Sequence, residues 1–225
     1  MGVQRSGTNA LFKCLTSDPA VEGHNEAPDN IYFEDVLLRP LDQLRPHLDA
    51  QARPLVLKPI SETNRRGLDE LLTELAPWDP RVVWIYRQPL NCYQSHVERW
   101  QGFRDRPAAF AEHWSARNRL ALRALADHGE RIAVVRYEDL IADPAVFAAL
   151  CSWLELPGAY LFRPDRGRGE AQAEEVQAQI DHGTAEVLAL LDEARRFRSH
   201  GDRPLARAGA RALGRLRREW GKVQG

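Results

Sequence analysis

Residues 82–86, Val-Val-Trp-Ile-Tyr, constrain the fold of this chain more than any other stretch. Five consecutive apolar residues, three of them β-branched, read as a strand buried on both faces. Leu55-Val56-Leu57 and Ile132-Ala133-Val134-Val135 repeat the pattern. Helical periodicities lie between and after these runs, at roughly Arg66 to Leu75, Leu90 to Trp100, Ala108 to Asp127 and Pro144 to Leu154. Strands separated by helices of that length predict an α/β fold, with a central parallel sheet flanked by helices and right-handed crossovers. Ligands of such sheets gather at the carboxyl ends of the strands. Arg5, Lys58, Arg87 and Tyr137 each stand just past an apolar run and are expected along that one edge.

The opening, MGVQRSGTNALFKCL, has the composition of an anion cradle. Gly7 can take positive φ, Ser6, Thr8 and Asn9 supply short polar side chains, and Arg5 adds a fixed charge. The residues from Ala10 onward read as a helix whose first turn aims its unpaired N–H groups at the cradle. Only Met1-Gly2-Val3 precede the loop, where a strand is expected, so about five further apolar residues, the usual strand length, are expected to be encoded upstream. Met1 to Ser6 also fits an N-myristoylation pattern, but the cradle makes fuller use of those residues.

The chain's 225 residues suit one elaborated domain, 1–225. With 44% hydrophobic and 28% charged residues it has globular rather than disordered composition. No apolar run approaches membrane-spanning length, and a cytoplasmic protein is expected. Cys14, Cys92 and Cys151 are odd in number and far apart in sequence, suggesting neither a disulfide framework nor a zinc site. Net charge is −1, yet from Arg195 to Gly225 ten Lys or Arg face two Asp or Glu. In that tail Leu205, Leu213, Leu216 and Trp220 share one helical face, opposite Arg207, Arg211, Arg215, Arg218 and Lys222. The pattern fits a surface helix with a solvated basic side, and a polyanion-binding module is the non-enzymatic alternative.

A second motif follows the central run. In VVWIYRQPLNCYQSHVERW, Pro89 suits a helix start, and Ser95 and Arg99, at i and i+4, share a face. Arg87 at the strand end reaches the same region, so two guanidinium forks and a hydroxyl converge as a phosphate would require. RSGTN, a Lys ending the next strand, strand-Arg-x-Pro with Ser eight residues beyond the Arg, and a strand running into RYEDL together resemble the sulfotransferase family. The resemblance covers Gly2 to about Pro157 and is nearest the branch with tyrosylprotein and many bacterial sulfotransferases, where Arg opens the loop.

The resemblance implies a three-layer, P-loop-NTPase-like fold and 3'-phosphoadenosine 5'-phosphosulfate as the sulfuryl donor. Arg5, Ser6, Gly7, Thr8 and Asn9 would hold the 5'-phosphosulfate, and Arg87 and Ser95 the 3'-phosphate. Arg99 and Tyr137 match further nucleotide contacts, Glu26 the catalytic base and Lys58 a catalytic cation. His24 and Glu22 stand beside Glu26 in VEGHNEAPDN, and His24 is the second candidate for the base because its ordinary pKa suits neutral pH. Many relatives carry a carboxyl-terminal phosphate contact; in RPDRGRGE, Arg166 and Arg168 could replace it, or the segment is a glycine-rich surface turn. No metal is implied, since the loop lacks the Gly-Lys-Ser/Thr ending of a magnesium-nucleotide site, although a kinase of similar fold is the competing enzyme. The expected acceptor is a small-molecule or carbohydrate hydroxyl, not a nucleic acid. Its pocket is expected between residues 22–35 and 100–114, where Trp100, Phe103 and Trp114 form an aromatic lining or, as aromatics at helical spacing more often do, belong to the core.

Overall fold

The computed structural model describes residues 1–163 and 174–198. In chain order it contains α1 (Thr8–Leu15), β1 (Glu22–Asn25), β2 (Phe33–Glu34), β3 (Leu37–Leu38), α2 (Leu41–Asp49), β4 (Leu55–Lys58), α3 (Glu62–Arg65) and α4 (Leu68–Glu74). There follow β5 (Val82–Tyr86), α5 (Pro89–Arg99), α6 (Pro107–His128), β6 (Ile132–Arg136), α7 (Tyr137–Ala142), α8 (Pro144–Leu154) and α9 (Glu174–Ala194). The Arg166 and Arg168 loop and the basic tail from Leu205 lie outside the described residues.

β5 and β6 pair in parallel, from Val82 opposite Ile132 to Tyr86 opposite Arg136. Because side chains alternate across a strand, the pair feeds two cores. Trp84, Tyr86, Ile132 and Val134 pack with residues of α4, α6 and α9. Val83, Ile85, Ala133 and Val135 pack with residues of α1 and α8 instead. Burial on both faces is why these strands are apolar throughout. The chain is therefore mixed α/β, with parallel strands and helices on both faces of the β5–β6 pair.

The expected single central sheet is not what the described strands form. β1 pairs in parallel with β4, β2 with β3 antiparallel and β5 with β6, giving three two-stranded sheets. β4 and β5 are separated by a cavity of about 610 Å³, lined by Leu55, Val56 and Leu57 on one side and Val82, Val83 and Ile85 on the other. Met1 lines this cavity, and residues 1 and 2 run along β5. The Met1 amino group donates to Val83 O at 2.6 Å, Ile85 N donates to Met1 O at 2.9 Å, and Gly2 forms a single parallel bridge with Ile85. One bridge does not join the two sheets.

Candidate active site

The RSGTN loop leads directly into α1. Gly7 is the N-cap residue, with φ 100° and ψ 8°, and no side chain caps the helix. The first-turn amides of α1 therefore have no side-chain cap and are suited to meet an anion. Ser6 is fully buried and its hydroxyl has no hydrogen-bond partner among the described residues. Arg5, itself at φ 71°, turns its side chain across to α5, where Nε donates to Ser95 Oγ at 3.1 Å and to Ser95 O at 3.2 Å.

Gly7 is required here on two grounds. Its backbone lies in the left-handed region, and a Cβ would stand 2.2 Å from Cδ2 of the Tyr137 ring. Gly7→Ala is expected to cost about 1–3 kcal/mol, from backbone strain and displacement of the ring. Tyr137→Ala in the same chain is expected to recover the steric part and leave the backbone part. A double-mutant cycle by urea denaturation measures the coupling; strictly additive losses would contradict the contact.

Lys58 ends β4, and its Nζ donates to Asn9 Oδ1 at 2.5 Å. Asn25, the last residue of β1, is the register partner of Lys58, so Glu26 follows at the carboxyl end of the adjacent strand. The Glu26 carboxylate accepts the Ser61 amide. Burial raises the Glu26 pKa above its ordinary value, against the opposing pull of the Ser61 amide and Lys58. Burial likewise lowers that of Lys58, with Glu26 pulling it back up. A desolvated carboxylate beside a desolvated ammonium is suited to proton transfer next to developing negative charge.

His24 occupies a different network. Its Nε2 lies 2.8 Å from Glu22 Oε1, and its ring stands 4.6 Å from that of Tyr32. Glu22 also accepts from Gln51 and Arg53, and the hydrogen bond to His24 is the main cause holding its carboxyl below the ordinary range. Of the three candidates in VEGHNEAPDN, Glu26 is the one set beside Lys58.

The second motif closes onto the loop from the β5 side. Arg87 follows β5, and its guanidinium carbon lies 5.0 Å from the centre of the Tyr137 ring that packs on Gly7. Cys92 sits beneath both motifs: its Sγ donates to Gln4 O at 3.2 Å, and Arg87 and Arg5 both act against the burial that raises its thiol to about 12. Arg5, Gly7, Ser95, Tyr137 and Arg87 thus form one contiguous group. Arg99 lies exposed in the last turn of α5, on the face of Ser95. Glu138, which the sequence reading passed over, accepts the Gln88 amide at 3.0 Å and Asn91 Nδ2 at 3.4 Å. It fixes the start of α5 beside Arg87. Its signal was present in RYEDL, directly after Tyr137.

The expected aromatic lining divides. Trp114 is fully buried in the core cluster, which is the core reading of these aromatics and not the lining. Trp100 is 41% exposed, and its ring lies 5.7 Å from the Arg5 guanidinium carbon. Phe103 packs between two histidines, 5.1 Å from His96 and 5.5 Å from His113. These histidines and Arg117 were missed, because none falls in a recognisable motif. Among the described residues no group of His, Cys, Asp or Glu is arranged to hold a metal, and the three cysteines are buried thiols.

The donor set fits an anionic ligand with more than one charged group: an uncapped helix start, Arg5, Lys58 at the end of β4, Arg87 after β5 and the Ser95 hydroxyl on α5. The family model described as the sulfotransferase family matches residues 63–160. This span includes Arg87, Ser95, Arg99 and Tyr137, while the RSGTN loop, Glu26 and Lys58 precede it. Among curated proteins and among solved structures, nothing matches the chain. Among the described residues, no helix is long and apolar enough to cross a membrane.

Proposed function

We propose, from the match of residues 63–160 to the sulfotransferase family model, that this chain moves a sulfuryl group from 3'-phosphoadenosine 5'-phosphosulfate to an acceptor hydroxyl. The observation that carries the reading is the meeting of the two motifs: Arg5 hydrogen-bonded to Ser95, and Gly7 and Arg87 both against the Tyr137 ring. A three-layer, P-loop-like arrangement is supported by helices on both faces of the β5–β6 pair. The arginine that opens the loop supports the tyrosylprotein-type branch.

In this reading the loop amides with Arg5, Ser6, Thr8 and Asn9 hold the 5' end of the donor. Arg87 and Ser95 hold the 3'-phosphate, with Tyr137 and Arg99 beside the nucleotide. The donor supplies a sulfuryl group whose bond to the 5'-phosphate oxygen breaks as the bond to the acceptor oxygen forms. Glu26 takes the hydroxyl proton, and Arg5, Lys58 and the loop amides meet the negative charge left on the 5'-phosphate. These groups are fixed before reaction, so stabilising that charge requires little rearrangement. The acceptor is a small-molecule or carbohydrate hydroxyl, and the three buried thiols support a cytoplasmic setting.

Calorimetry with adenosine 3',5'-bisphosphate tests the reading. Tight binding without magnesium is the expected result, followed by transfer of label from sulfur-35 donor to a component of a cell extract. Magnesium-dependent binding of ATP in place of the bisphosphate would overturn it in favour of a kinase.

A further inference from the structure

Arg117, on α6, is half-buried and donates to the Thr63 hydroxyl, and no carboxylate pairs with it among the described residues. One turn earlier on the same face stands His113, whose ring meets Phe103 at 5.5 Å. Phe103 also meets His96, more than nine-tenths buried, whose Nδ1 has no hydrogen-bond partner among the described residues. The row continues through Trp100, 4.8 Å from His96, to Arg5. Burial and the neighbouring cations keep both imidazoles below their ordinary pKa, and no carboxylate acts to raise them. The fixed positive charge of Arg117 and an orphaned imidazole nitrogen therefore lie in one partly desolvated row, without a counter-charge among the described residues, that ends on Arg5 at the donor site. Such a cation is costly unless a ligand or partner compensates it.

The row also has a direction. Thr63, which holds Arg117, lies in the same turn as Ser61, whose amide holds Glu26. We infer that Arg117, with His113 and His96, binds an anionic group of the acceptor, a carboxylate in the simplest case, and so positions the acceptor hydroxyl toward Glu26. The body of the acceptor lies against Phe103 and Trp100, which favours a flat or aromatic frame. The inference rests on the sulfotransferase reading and narrows its acceptor from any hydroxyl compound to one bearing a negative charge.

The test uses the whole chain saturated with adenosine 3',5'-bisphosphate and titrated with 4-hydroxybenzoate or the neutral 4-hydroxybenzamide. Imidazole resonances of His96 and His113 are followed by heteronuclear NMR. The carboxylate is expected to move both resonances and to bind at least about tenfold more tightly than the amide, a difference of one charge-assisted hydrogen bond. Arg117→Gln is expected to abolish that preference while leaving bisphosphate affinity within about twofold, and Arg117→Lys to retain part of it. Equal binding of the two compounds, unmoved histidine resonances, or a preference that survives Arg117→Gln would each overturn the inference. If the bisphosphate itself does not bind, the donor reading fails separately. The titration on the nucleotide-free protein then still decides whether the row is an anion site.

Discussion

Replacing Glu26 by glutamine is expected to lower kcat about 10²–10⁴-fold, the usual contribution of a positioned general base, with bisphosphate affinity nearly unchanged. Glutamine keeps the shape and still accepts the Ser61 amide, so the loss reports the proton and not the packing. The pH profile carries the sign. Burial raises the Glu26 pKa, so activity rises with pH as the carboxylate ionises, through a midpoint above the ordinary 4.5. Burial lowers the Lys58 pKa, so activity falls again as the ammonium deprotonates, through a midpoint below the ordinary 10.5. The profile is therefore a bell narrower on both sides than two exposed groups would give. Glu26→Gln is expected to remove the acid limb, whereas His24→Gln, which disturbs the Glu22 network, leaves it in place. An acid limb lost with His24 and kept without Glu26 would reverse the assignment of the base.

The difference between what the sequence revealed and what it concealed has a physical basis at particular residues. β5 and β6 were legible because burial on both faces demands unbroken apolar runs; β4 carries the same apolar signal, although its Leu55, Val56 and Leu57 are only half-buried, and the carboxyl ends of the three strands placed Lys58, Arg87 and Tyr137 without further information. β1 was not legible: Glu-Gly-His-Asn has no strand signature, and it is a strand because its backbone pairs with β4 at one edge while its side chains serve a polar network. The contact of Arg5 with Ser95 spans 90 residues and no local pattern encodes it. The expected loop and the expected Arg87–Ser95 motif were each visible alone, and only the fold shows that both also meet the Tyr137 ring. His96, His113 and Arg117 remained hidden because a helix brings charge together at a spacing that ordinary surface residues share.

Arg87→Ala is expected to weaken binding of adenosine 3',5'-bisphosphate about 10–150-fold, the range for losing one or two hydrogen bonds to a charged group. Adenosine 5'-phosphate, which lacks the 3' group, is expected to bind the variant and the parent within about threefold of each other, so the ratio of the two affinities isolates the contact. Arg87→Lys is expected to fall between, because lysine keeps the charge but not the planar fork that matches a phosphate, nor the same face for the Tyr137 ring. Lys58→Ala provides the contrast. It stands at the end of β4 against Asn9, on the side of Glu26, and is expected to reduce kcat about 10²–10³-fold while changing the ratio of nucleotide affinities little. The two variants thus separate a cation that holds the nucleotide from one that meets charge during transfer. Equal weakening of both nucleotides by Arg87→Ala would place its guanidinium at the 5' end or in the fold itself, and the two-motif site would then lose the 3' anchor on which its specificity for a bisphosphorylated adenosine depends.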